Sequence, residues 1–155
     1  MQIDPQWEYV SDGVMGGQSE GQLGLGPVKG RDAARLTGTV SLANNGGFIQ
    51  IAFDLAERGA FDASGFSGIA FETTGNGENY DIRLRTTDLA RPWQSYRAAF
   101  TATGSWQSVQ IPFSDFAPHR TEAPFDPSRL RRIGVLAIGH AFEADVAIAG
   151  LRFYD

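Results

Sequence analysis

Apolar and polar residues alternate with period two along most of this chain. In Ala34, Leu36, Gly38, Val40 and Leu42 the apolar set is interleaved with Arg35, Thr37, Thr39 and Ser41. Successive side chains of an extended chain point to opposite faces, so such a run is a strand with one face buried and one wet. The alternation returns at Ile49, Ile51 and Phe53, at Ile69 and Phe71, and at Tyr80, Ile82 and Leu84 against Asp81, Arg83 and Arg85. It returns again at Tyr96, Ala98 and Phe100 against Arg97, Ala99 and Thr101, and at Val109, Ile111 and Phe113. Two further strands are expected. Arg132 to Ile138 is apolar on both sides and therefore central, and Asp145 to Tyr154 contains Gly150 as a candidate bulge.

Turn chemistry separates these runs at short intervals. Asn44-Asn45-Gly46-Gly47, Gly75-Asn76-Gly77, Arg91-Pro92 and Thr103-Gly104 supply the residues that tight turns need, and short turns join antiparallel strands. Helical signals are sparse. Asp126 at a cap position followed by Pro127 predicts a turn or two of helix, and a second short helix is expected near Leu55 to Ala63. About eight short antiparallel strands with scarcely any helix give an all-β class: a two-sheet sandwich or jelly roll. The 155 residues fit one domain, 1–155. A chain of that size buries roughly 70% of its unfolded surface, enough for one core.

Composition removes several functions. The chain has no cysteine, so disulfides, thiolate nucleophiles and thiolate metal sites are absent together, and packing must hold the fold. No apolar run approaches the ~20 residues that span a bilayer, so no membrane insertion is expected. The net charge of −5 disfavours nucleic acid, whose phosphates call for a basic surface. Arg129, Arg131 and Arg132 form one dense basic cluster, too short to reverse that balance. Met1 to Val10 shows no basic or apolar leader and no Arg-rich amphipathic stretch, so no export or organelle signal is expected and the chain reads as cytoplasmic.

Catalytic constellations are weak. A Ser-His-Asp reading would have to use His119 or His140, and Ser114, Asp115 and His119 lack the glycine pattern of a nucleophile elbow. His119 reads as part of a solvated loop. Two distant histidines without cysteine make zinc a poor fit, and no EF-hand-like run of oxygen ligands appears. No metal or cofactor is expected, and the chain reads as a non-enzyme. Paired carboxylates are defined by separation in space, so the acidic residues leave that alternative open. Gly13, Gly16 and Gly17, with Gly24 and Gly26 further on, superficially suggest phosphate binding, yet no strand-to-helix context surrounds them. Their structural reading is an arm wrapped across the sandwich through turns with positive φ.

The run Trp7 to Gly21, WEYVSDGVMGGQSEG, together with Asn44-Asn45-Gly46-Gly47-Phe48, resembles the complex I intermediate-associated protein 30 family. Three later stretches agree: Tyr80 to Arg85 (YDIRLR), Trp93 to Tyr96 (WQSY) and Trp106 to Phe116 (WQSVQIPFSDF). The match runs in order over nearly the whole chain. The resemblance implies a galactose-binding-like jelly roll, agreeing with the strand count. It also implies a partner: eukaryotic members are mitochondrial factors that help to assemble respiratory complex I by binding proteins.

Two functions follow as expectations. One is a protein-interaction or assembly-factor domain whose partner is a protein, such as a respiratory complex component. The alternative is a carbohydrate or small-ligand module. For either, parity places the site on the polar strand face. If Ile82 and Leu84 face the core, then Arg83 and Arg85 project together from the other side, joined by Arg97 and Gln50 and flanked by the Trp93 loop. Asp12, Gly13, Gly16, Gly17, Asn45 and Gly47 are expected to be structural loop residues.

Overall fold

The computed structural model describes residues 1–43 and 47–155, apart from the side chains of Val14 and Met15. Among the described residues eleven strands form two antiparallel sheets. The six-stranded sheet has the order β1 (Glu8–Ser11), β4 (Phe48–Asp54), β10 (Leu130–Ile138), β6 (Asn79–Thr86), β7 (Ser95–Thr101), β9 (Ala117–His119). The five-stranded sheet has the order β2 (Glu20–Val28), β3 (Arg31–Val40), β11 (Phe142–Tyr154), β5 (Gly68–Gly75), β8 (Gln107–Pro112).

Each alternating run of the sequence becomes a strand with its apolar set inward, but two ends differ: β3 stops at Val40 and leaves Leu42 exposed, and Phe113 is buried from a 3-10 turn that follows β8. From one sheet Ile49, Ile51, Ile82, Leu84, Ile133 and Val135 face Leu36, Ile69, Phe71, Val146 and Ile148 of the other, all at most 3% exposed. Such interdigitated burial removes apolar surface from water at about 25 cal/mol per Å2 and supplies the main drive for folding. β10 lies between β4 and β6, buried on both faces along most of its length. β11 breaks register between Ala149 and Arg152, with Gly150 at φ 63°.

Three strands go beyond the eight read from the sequence. β1 and β9 are short edge strands of four and three residues. β2 pairs with β3 over nine positions, yet Gly21, Gly24, Gly26 and Pro27 erase its alternation, as an edge strand tolerates. The stretch Leu55 to Ala63 corrects another expectation, because it is not helical. Its amides turn outward instead: Leu55 N donates to Arg131 O, Phe61 N to Leu130 O and Ala63 N to Pro127 O, at 2.7–2.9 Å. The other helical signal appears as one 3-10 turn, Pro127–Arg129, with the Asp126 carboxylate accepting from Ser128 N.

Aromatic rings close one end of the sandwich. Phe61 and Phe66 stack on Phe153 at 5.3 and 5.4 Å between centroids, and Phe125 packs on Tyr96 and Phe113 at 5.0 and 5.5 Å. The long connections 55–67 and 120–126 are thereby tied to the core.

Candidate binding face

The outer face of the six-stranded sheet follows from the pairing registers. One row across it reads Glu8, Ala52, Gly134, Arg83, Arg97, Ala117. A second reads Val10, Gln50, Leu136, Asp81, Ala99, and a third contains Asp54, Arg132 and Arg85. Because Ile82, Leu84 and Tyr96 are fully buried, their neighbours Arg83, Arg85 and Arg97 have no choice but the outer side. Gln50 joins them over a floor of small residues. Its Oε1 lies 3.1 Å from the place a Cβ on Gly134 would occupy, with the Ala52 methyl beside it.

Although they share a face, the guanidiniums diverge. Arg83 donates to Asp81 Oδ2 through Nη2 at 2.9 Å and Nε at 3.2 Å. Arg85 turns to the 87–94 loop, donating from Nη1 to Arg91 O at 2.7 Å and Gln94 O at 2.8 Å. Arg97 is exposed, stands directly opposite Arg83, and has no ion-pair partner among the described residues. Trp93 is 55% exposed at the tip of the loop that Arg85 holds. The Arg91 guanidinium lies 6.0 Å from its ring centroid, at the limit of cation–π contact.

The sequence did not single out the edge beyond these residues. His119 lies in β9 rather than in a loop, in register with Ser95. Burial, then the charges of Arg83, Arg97 and Arg120, hold its imidazole below the ordinary 6.5 despite the counter-pull of Asp81. It is therefore neutral at pH 7. Ser95 is buried, and its Oγ has no hydrogen-bond partner among the described residues. Pro118 interrupts the alternation that would have announced this strand. Ser114 and Asp115, by contrast, sit exposed in the 3-10 turn Phe113–Asp115.

The arm residues occupy a separate place. Asp12 is 0% exposed and accepts from Ser19 N at 3.0 Å, Ser19 Oγ at 2.5 Å, Gly47 N at 2.6 Å and Phe48 N at 3.2 Å. Burial by itself raises a carboxyl pKa, but these donors outweigh it and hold Asp12 below the ordinary 3.8. Gly13 N donates to Ser11 Oγ, Gly16 has φ 84°, and Gly17 packs against the Asp12 side chain. Asn45 lies outside the described residues. Among the described residues no three His, Cys, Asp or Glu side chains gather as metal ligands would. Among the same residues no helix is long and apolar enough to cross a membrane.

The family description of complex I intermediate-associated protein 30 matches residues 2–147. The chain belongs to that family. Its fold is shared with solved carbohydrate-binding modules. The family 11 module of a cellulosomal cellulase of Clostridium thermocellum superposes with a TM-score of 0.79 at 14% identity, covering 99% of this chain and 93% of that one. The family 30 module of another cellulosomal cellulase of the same organism gives 0.73 at 19% identity, covering 100% and 95%. An agarase contains the fold as part of a larger protein, with a TM-score of 0.64 at 10% identity over 100% of this chain and 25% of its own. No curated protein matches the sequence. At these identities the likeness is one of fold, so this intermediate-associated-family sandwich must be read from its own side chains.

Proposed function

We propose that this domain is a non-catalytic binding module that holds an acidic segment of a protein partner against the outer face of the six-stranded sheet. The observation that carries the reading is Arg97: an exposed guanidinium opposite Arg83, without an ion-pair partner among the described residues. Like charges directly opposite each other on neighbouring strands are destabilising. Asp81 offsets Arg83, while Arg97 and Arg120 add further positive charge around His119 at that edge, in a chain of net charge −5. A carboxylate from outside would relieve the repulsion, and planar forks beside an exposed indole are the side chains that dominate protein interfaces. Family membership favours a protein as the source of that carboxylate. The domain then serves assembly by holding a partner rather than by transforming it.

A second reading is supported by the modules of similar fold, one of which was solved with a β-1,3-1,4-linked tetrasaccharide. Trp93 offers an exposed indole on which a sugar ring could stack, with Arg97 as a hydrogen-bond donor exposed on the same face. One titration separates the two. Trp93 fluorescence is followed against a glutamate-rich peptide, a neutral glutamine-rich control and the tetrasaccharide, with Trp93→Phe identifying the signal. Binding of the acidic peptide alone, weakened at least tenfold in Arg97→Ala and by added salt, supports the first reading. A response to the sugar alone replaces it with the second.

A further inference from the structure

Where the same face meets the 87–94 loop, Asp54, Gly59, Arg85, Thr87, Arg131 and Arg132 line a cleft of about 430 Å3. Three guanidiniums meet there against one lining carboxylate. Arg132 and Arg85 are direct cross-strand partners on β10 and β6, a pairing that repels unless something negative lies between them. Asp54 serves two of the three cations, reaching Arg132 Nη1 at 2.9 Å and Arg131 Nη2 at 3.4 Å, and Glu8 reaches Arg132 at 3.3 Å from outside the lining. Arg85 has no carboxylate partner among the described residues. Its only described acceptors are the two loop carbonyls on Nη1, leaving Nε and Nη2 with none. Each guanidinium carries five N–H donors, so this cleft holds donors in excess of acceptors.

We infer that this cleft is an oxyanion site, in which Arg85, Arg131 and Arg132 together take a phosphate or carboxylate group. The arrangement costs stability in the free protein and gains it back only with an anion present, the pattern expected where a local rule is broken for function. Electrostatics agree: burial first, then the charge of Arg132, lowers the Arg85 pKa against the pull of Asp54. An anion between the two would reverse the second effect and replace the water lost to the first. Planar forks converging on one cleft match the planar carboxylate and the phosphate face by bidentate hydrogen bonds. The proposal is independent of the Arg97 reading, since Arg97 lies in a different row of the sheet.

The test is a thermal-shift and calorimetric titration with inorganic phosphate, and separately with acetate, in chloride at constant ionic strength. A ligand that binds only the folded state raises the melting temperature in a saturable way. Saturation by phosphate but not acetate assigns a phosphoryl ligand, and saturation by acetate at equal or lower concentration assigns a carboxylate; either supports the site. Arg131→Gln should weaken the binding at least fivefold, with Arg131→Lys recovering only part of it. Thr87→Glu, an exposed lining position, should abolish anion binding by supplying a carboxylate of its own. It also carries the test if the arginine variants fail to fold. Absence of a saturable shift with both anions, or equal shifts in wild type and Thr87→Glu, overturns the proposal.

Discussion

The Asp12 carboxylate accepts a hydrogen bond from Gly47 N at 2.6 Å, joining two loops 35 residues apart. With Ser19 and Phe48 completing its shell, this one buried charge ties the arm before β2 to the start of β4. Asp12→Ala leaves several buried donors unsatisfied, each worth about 1–3 kcal/mol, so a loss of at least ~3 kcal/mol is expected in urea denaturation. The charge also fixes a pH dependence. Its folded pKa lies below the ordinary 3.8, so the stabilisation is complete above about pH 5 and is lost as pH falls through 3.8 toward the folded value. Asp12→Asn should flatten that acid slope; an unchanged slope would place the acid sensitivity elsewhere.

Gly16 and Gly17 differ in what they resist. Gly16 has φ 84° with open space around it, whereas a Cβ on Gly17 would come within 2.6 Å of Asp12 Oδ1. Gly16→Ala should therefore cost only the left-handed penalty of about 1–2 kcal/mol. Gly17→Ala should cost more, because it displaces the carboxylate that organises the arm. Melting temperatures in the reverse order would refute this account.

The strands that alternate were legible because one face of each is buried in the core; β4, β6 and β7 needed nothing else, and β10 was legible by the opposite sign, an apolar run buried on both faces. β2 was hidden because glycines at an edge carry no hydrophobic signal, and β9 because Pro118 breaks its pattern. The same holds for the site. Parity alone puts Gln50, Arg83, Arg85 and Arg97 on one face, but where a guanidinium ends depends on rotamers and on loops far away in sequence. That is why Arg83 turning to Asp81, Arg85 to the 91–94 carbonyls and Arg132 to the cleft had no mark in the sequence.

Tyr80 bridges the two sheets. Its hydroxyl donates to Asn76 Oδ1 at 2.7 Å and accepts from Asp145 N, on β11, at 2.9 Å. Tyr80→Phe strands the Asp145 amide and should cost about 1–2 kcal/mol. Burial pushes the Tyr80 pKa up to about 12. The unfolded chain thus ionises first, near 10, so the stabilisation is whole below pH 10 and falls as pH rises from there toward 12. In Tyr80→Phe the loss of stability over that alkaline window should be smaller than in wild type.

Arg97 and Arg83 should respond oppositely when each is removed. Truncating Arg97 takes away an exposed side chain with no described ion pair and relieves its repulsion with Arg83, so Arg97→Ala should leave stability within about 0.5 kcal/mol of wild type or slightly above it. Arg83→Ala strips Asp81 of its half-buried partner, side chains that are only 13% and 20% exposed. The carboxylate then faces the sheet without its two charge-assisted bonds, and a loss of about 1–2 kcal/mol is expected. Arg97 is consequently the variant that reports on binding without disturbing the fold. If Arg97→Ala unfolds in markedly less urea than Arg83→Ala, then Arg97 braces the sheet and the binding face must be sought away from it.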